Sequence, residues 1–124
     1  MWSGIDKRRF PRANYRCSIF IKRSGATKKI STITENIGGG GVCIILDEDL
    51  GLFRGVEIEV ALDDKETPIK SSGTVVWVVK KKSHMKTDNY CYDTGIEFVN
   101  ISENDREKIL KTVDDILKKE QPST

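Results

Sequence analysis

A chain of 124 residues holds one modest hydrophobic core and is too short for two. With 37% hydrophobic and 32% charged residues it lies outside the compositions of disordered chains. Its formal net charge of only +2 argues against a surface built to neutralise many phosphates, and so against a nucleic-acid binder.

The start, "MWSGIDKRR", has no apolar signal region, and no apolar run approaches the roughly 18 residues needed to span a bilayer. A cytoplasmic location is the expectation. Lys7, Arg8, Arg9, Arg12 and Arg16 crowd into "KRRFPRANYR" with no acid among them. Pro11 biases Phe10 to an extended backbone, so residues 1–16 are expected to form a flexible basic arm. Such an arm is either a loose tail or a clamp for an anion.

Six strand-like segments come next, over residues 17–100. "CSIFI" (17–21) is short and β-rich, and "KKISTITE" (28–35) alternates. "VCIIL" (42–46) is apolar enough for a central strand. "VEIEVAL" (56–62) puts Val56, Ile58, Val60 and Leu62 on one face and Glu57 and Glu59 on the other. "SGTVVWVVK" (72–80) sets β-branched residues around Trp77. In "YCYDTGIEFV" (90–99), Gly95 suggests a bulge or a close approach. "KKKSHMKTDN" (80–89) reads as a basic hairpin loop, and "DEDLGLFRG" (47–55) punctuates the middle. Short strands separated by turns predict a small antiparallel barrel of six or seven strands.

The period then changes to that of a helix over 101–120. Ser102 is placed to cap it, with Asp105 three residues on. Ile109, Leu110, Val113, Ile116 and Leu117 form one apolar stripe, which predicts packing on the barrel. The fold class expected is therefore all-β with one terminal helix.

"TENIGGGGVCII" (34–45) interrupts the strands with Gly38, Gly39, Gly40 and Gly41. Four glycines are more than a plain hairpin turn requires. The run is either a floppy loop, or a loop that passes close to a ligand or uses positive φ to aim amides at an anion. It is not succeeded by GK[ST], and the segment after it is a strand, so neither a P-loop nor a dinucleotide fingerprint fits.

Arg8 and Arg12 form R-x-x-x-R, and Asn36 and Gly41 form N-x-x-x-x-G about two dozen residues later. Together with "GTVVWVV" (73–79) and "DTGIEFVNISENDREKI" (93–109), this resembles the PilZ domain family, over residues 7–120 or so. In that family an R-x-x-x-R arm wraps a small β-barrel and meets a [D/N]-x-S-x-x-G motif, and the two hold the bacterial second messenger cyclic di-GMP. The resemblance implies a ligand site of Arg8, Arg9, Arg12, Asn36, Gly38 and Gly41. Arg8 and Arg12 would contact guanine and phosphate, with Arg9 helping, and Arg16 is a further candidate contact or a salt-bridge partner of the barrel. The chain departs from the motif at Gly38, which stands where the family has serine.

The same resemblance implies a non-catalytic receptor acting through a partner in flagellar, pilus or polysaccharide machinery, in the control of motility or biofilm. The alternative is a degenerate member that binds no nucleotide and serves as a protein-interaction module. No catalytic constellation, metal site or cofactor beyond the nucleotide is expected. His84 sits in the lysine-rich loop without a cysteine near it in sequence, and Cys17, Cys43 and Cys91 read as buried structural thiols.

Overall fold

The computed structural model describes residues 12–62, 67–82 and 90–120. It contains β1 (Arg12–Asn14), β2 (Ser18–Arg23), β3 (Ile30–Gly38), β4 (Gly41–Leu46), β5 (Gly55–Ala61), β6 (Ile69–Lys82), β7 (Tyr90–Phe98) and α1 (Glu103–Glu120). The strands are ordered β1-β3-β2-β5-β6-β7-β4, every pairing is antiparallel, and β4 pairs back onto β3. That last pairing closes six strands into a barrel and leaves β1 as an extra strand on β3. The expected architecture is therefore present. Its helix starts two residues later than the periodicity suggests.

The barrel closes because inward positions are apolar and mostly β-branched, alternating in β5 with glutamates. Ile19 and Ile21 of β2, Val56, Ile58 and Val60 of β5, and Val42, Ile44 and Leu46 of β4 are all buried. They share one core with Ile69, Val75, Ile96 and Phe98. Glu57, between two of these positions, points to solvent. One end of this core is covered by α1, through Ile109 and Val113, both fully buried, with Ile116 and Leu117 partly buried beside them. Ser102 caps the helix: its Oγ accepts from Asp105 N at 3.1 Å.

Two strands run beyond their sequence-based limits. β3 continues through Asn36–Gly38, and β6 starts at Ile69 and ends at Lys82. The expected arm also ends sooner than Arg16. Arg12, Ala13 and Asn14 pair with Gly38, Ile37 and Asn36, and Ala13 is buried. A single inward alanine in a three-residue strand leaves no alternation to detect. Residues 1–11, which hold the rest of the expected arm, and His84 in the expected hairpin loop lie outside the described residues.

Candidate functional site

Thr34 fixes the geometry around Arg12. Its side chain is fully buried, in the gap between β1 and β2, where a backbone ladder is broken. Its hydroxyl donates to the Tyr15 carbonyl at 2.6 Å and accepts from Cys17 N at 3.0 Å, while its own N–H donates to the Cys17 carbonyl at 2.9 Å. One hydroxyl thus satisfies the backbone at the break and holds β1 in line with β2 along the same edge of β3. Arg12 then stands beside Asn36, and its Nε donates to Asn36 Oδ1 at 3.0 Å. These two residues, 24 positions apart, come one from each half of the motif seen in the sequence.

Asn36 lies on the outer surface because of a β-bulge. Between Thr34, paired with Ile44, and Asn36, paired with Cys43, Glu35 has no partner of its own in the register. The row continues across the barrel: Asn36 is opposite Cys43, Cys43 opposite Gly95, and Gly95 opposite Trp77. A Cβ on Gly95 would overlap the Trp77 indole. The glycine therefore lets the ring lie flat across β7, and the ring remains 39% exposed. Gly95 is the close approach that the sequence suggests, and the bulge falls on the partner strand, between Val75 and Trp77.

A second row joins Arg12, Gly38, Gly41, Glu97 and Thr74. Gly39 and Gly40 form the turn between β3 and β4. The turn is fastened, not floppy: Phe98 N donates to the Gly40 carbonyl at 2.9 Å, and Arg106 Nε donates to the Gly39 carbonyl at 3.1 Å. Among the described residues the positive-φ glycines are Gly25 and Gly51, so the run does not use positive φ to aim its amides. Gly41 has a packing reason instead, because a Cβ there would overlap the Ile96 carbonyl of β7.

Between the two motif halves and Trp77 lies a polar cluster. The Cys43 thiol donates to Asp93 Oδ1 at 3.3 Å, with Glu35 Oε1 at 3.9 Å, and Lys81 Nζ bonds Asp93 Oδ2 at 2.9 Å. Burial, followed by the Asp93 carboxylate, pushes the Cys43 thiol up to about 12. The hydrogen bond to Asp93 raises Lys81. The ligand atoms of Glu35, Cys43 and Asp93 lie within 4.8 Å of one another, which is close enough to surround a cation. Lys81 sits on Asp93 at 2.9 Å and the Cys43 thiol donates to the same carboxylate, so the groups form a hydrogen-bonded cluster.

Of the residues picked from the sequence, Arg12, Asn36, Gly38 and Gly41 come together, and Gly38 is buried between Arg12 and Gly41. Arg8 and Arg9 lie outside the described residues. Among the described residues Arg16 makes no salt bridge with the barrel, and it lines a groove beside α1. The cysteines divide: Cys17 and Cys43 are buried, and Cys91 is half-buried. Sequence reasoning misses Trp77 and the Cys43–Asp93 pair as parts of this face. The tryptophan is visible as the one large aromatic in its strand, but its facing cannot be read across the bulge.

No curated protein matches the chain in sequence. Among solved structures it is similar to the Bacillus subtilis inhibitor of motility MotI/DgrA, with TM-score 0.73 and 17% identity over 93% of this chain and 53% of that one. It is also similar to the PilZ domain of YcgR from Escherichia coli with c-di-GMP, with TM-score 0.69 and 12% identity over 91% of this chain and 93% of that one. For the K. pneumonia MrkH–c-di-GMP complex the values are 0.70 and 17%, over 91% and 53%. The chain spans about half the length of MotI/DgrA and of MrkH. No helix among the described residues is long and apolar enough to cross a membrane. The PilZ domain profile matches residues 6–115, nearly the whole chain. Motif, barrel and matched span thus agree, and the chain belongs to the PilZ domain family.

Proposed function

We propose that this domain is a non-catalytic receptor for cyclic di-GMP that acts through contacts with a partner protein in the control of motility or surface attachment. The carrying observation is the Arg12–Asn36 contact, which brings the two motif halves to one outer face. The guanidinium of Arg12, with Arg8 and Arg9, supplies forks for guanine O6 and N7 and for phosphate oxygens. The Asn36 amide accepts from the guanine N1–H or N2–H edge or donates to N7. Gly38 pairs with Arg12 on one side and Gly41 on the other and carries no Cβ, and Gly41 borders the turn. The Trp77 ring, lying over Gly95 of β7 on the row that starts at Asn36, offers an aromatic plane two strands from Asn36, suited to stacking. Structures of YcgR and MrkH with c-di-GMP support the choice of ligand, and MotI/DgrA, an inhibitor of motility, supports the choice of output. A cytoplasmic location accords with the ligand.

Gly38 favours a second reading, a family member that has lost the nucleotide and keeps only protein contacts. The absent serine hydroxyl removes one hydrogen bond to a charged group, worth about 1.5–3 kcal/mol, or about ten- to hundredfold in affinity. Isothermal titration with cyclic di-GMP separates the readings. Micromolar binding that tightens about ten- to hundredfold in Gly38→Ser supports the receptor. No heat and no NMR shift change at about 100 μM nucleotide, some tenfold above a dissociation constant of about 10 μM, supports the interaction module.

A further inference from the structure

A groove of about 670 Å³, whose lining includes neither Arg12 nor Asn36, runs between the link from β1 to β2, the end of β5 and α1. Its walls carry Arg16 from the link and Lys108 and Lys111 from the helix; Tyr15 and Leu62 are among its less polar lining residues, and Asp115 is its one carboxylate among the described residues. The helix residues lie three and four positions apart, on the flank next to the buried Ile109–Val113 stripe, so they form one continuous wall. The opposite wall is fixed where the Tyr15 hydroxyl donates to the Leu62 carbonyl at 2.8 Å.

The charges of this groove are under-compensated. Lys108 has only a 3.9 Å contact with Asp105. Among the described residues neither Arg16 nor Lys111 forms an ion pair. Among the described residues, three cations and one carboxylate line this trough, a surface mainly of one sign on a chain of net charge +2.

We propose that this groove docks an acidic, extended segment of a partner protein. The cations stand on two facing walls, with Lys108 and Lys111 about 4.5 Å apart along the helix axis. An extended chain, with alternate side chains about 6.6 Å apart, presents successive carboxylates to such a row and lays its intervening aliphatic side chains on Leu62. Asp115 repels an acid at its own end and so gives the segment a direction. The groove is separate from the proposed nucleotide contacts, so this proposal does not depend on nucleotide binding.

Fluorescence anisotropy with the whole chain tests it. The probe is a fluorescein-labelled peptide of alternating Glu and Leu, with a Gln-for-Glu counterpart. The Glu peptide is expected to bind at least about tenfold tighter than the Gln peptide, and to weaken as salt rises from about 50 to about 200 mM. Arg16→Gln with Lys111→Gln is expected to lose about tenfold in affinity at an unchanged urea midpoint, because both side chains are exposed and make no ion pair among the described residues. The same binding in Arg12→Ala separates this surface from the nucleotide site. Absence of binding, equal binding of the two peptides, or full affinity in the double variant overturns the proposal. Displacement by inorganic phosphate at the same charge concentration overturns the choice of a protein segment and leaves a small-anion site.

Discussion

Gly41 belongs to the sequence motif, yet its surroundings give it a folding role that Gly41→Ala would expose. The new Cβ would overlap the Ile96 carbonyl oxygen and lie 3.1 Å from both Ile96 C and Glu97 Cα. All three are backbone atoms of β7, so no rotamer change relieves the contact. β4 would have to leave β7 at the Gly41–Glu97 pair, next to the turn where Phe98 N bonds the Gly40 carbonyl. Overpacking of this kind costs about 1–3 kcal/mol and each weakened ladder bond about 1. Against this, alanine removes freedom from the unfolded chain, which restores only about 0.4–1 kcal/mol. The clash wins, and a net loss of about 2–4 kcal/mol is expected, a large share of the roughly 5–15 available to a domain. For a chain of this size that lowers Tm by about 10 °C or more. Gly25→Ala is the control. Its φ of 83° is unfavourable, but nothing lies within 4 Å of the added carbon, so about 1–2 kcal/mol is expected. Urea titration by far-UV circular dichroism measures both. A Gly41→Ala protein as stable as the parent, or less affected than Gly25→Ala, refutes the reasoning.

Arg12→Ala and Asn36→Ala should each weaken cyclic di-GMP binding by about tenfold or more by titration, while stability falls by no more than about 1 kcal/mol, since their mutual bond is exposed. Cys43 should make folding sensitive to alkali. A thiol whose pKa rises from 9.0 to about 12 on folding contributes stability that is complete below pH 9 and lost as pH climbs towards 12, so the fall in urea midpoint over that window should shrink in Cys43→Ala. Ser102→Ala should cost about 0.5–2 kcal/mol in the same titration, because Asp105 N loses its acceptor.

An element is legible in the sequence when many of its residues share one signal. β5 is legible because Val56, Ile58 and Val60 turn inward while Glu57 stays outside, and a period of two survives in any register. The helix is legible for the same reason at a period of 3.6, with Ile109 and Val113 at its buried centre. β1 is hidden because only Ala13 faces in. The end of β3 is hidden because Asn36, Ile37 and Gly38 look like the approach to a turn, and only their ladders with β1 and β4 make them strand. The bulges are the deeper obstacle. Glu35 and the Val75–Trp77 irregularity each shift the parity of a strand, so which side chains share the outer face is decided by cross-strand pairing and not by alternation. Arg12, Asn36 and Gly41 are therefore found through their motif, while Trp77 and the Cys43–Asp93 pair emerge only from the folded chain.

The strand β1 also changes the energetics of the proposed site. A basic arm that is loose up to Arg16 would have to be ordered by the nucleotide, at about 1–2 kcal/mol of backbone entropy per residue. Pairing with β3 and the Thr34 hydroxyl have already fixed Arg12, Ala13 and Asn14, with the guanidinium held on Asn36. For three residues this spares a ligand about 3–6 kcal/mol of ordering. The hydroxyl missing at Gly38 removes about 1.5–3 kcal/mol. The larger of these quantities favours binding, so under the proposed function the ordering already in place offsets the hydrogen bond missing at Gly38. Departure from the motif at Gly38 is therefore weaker grounds for a silent domain than the motif alone suggests, and the Arg12–Asn36 contact is the stronger sign of a working one.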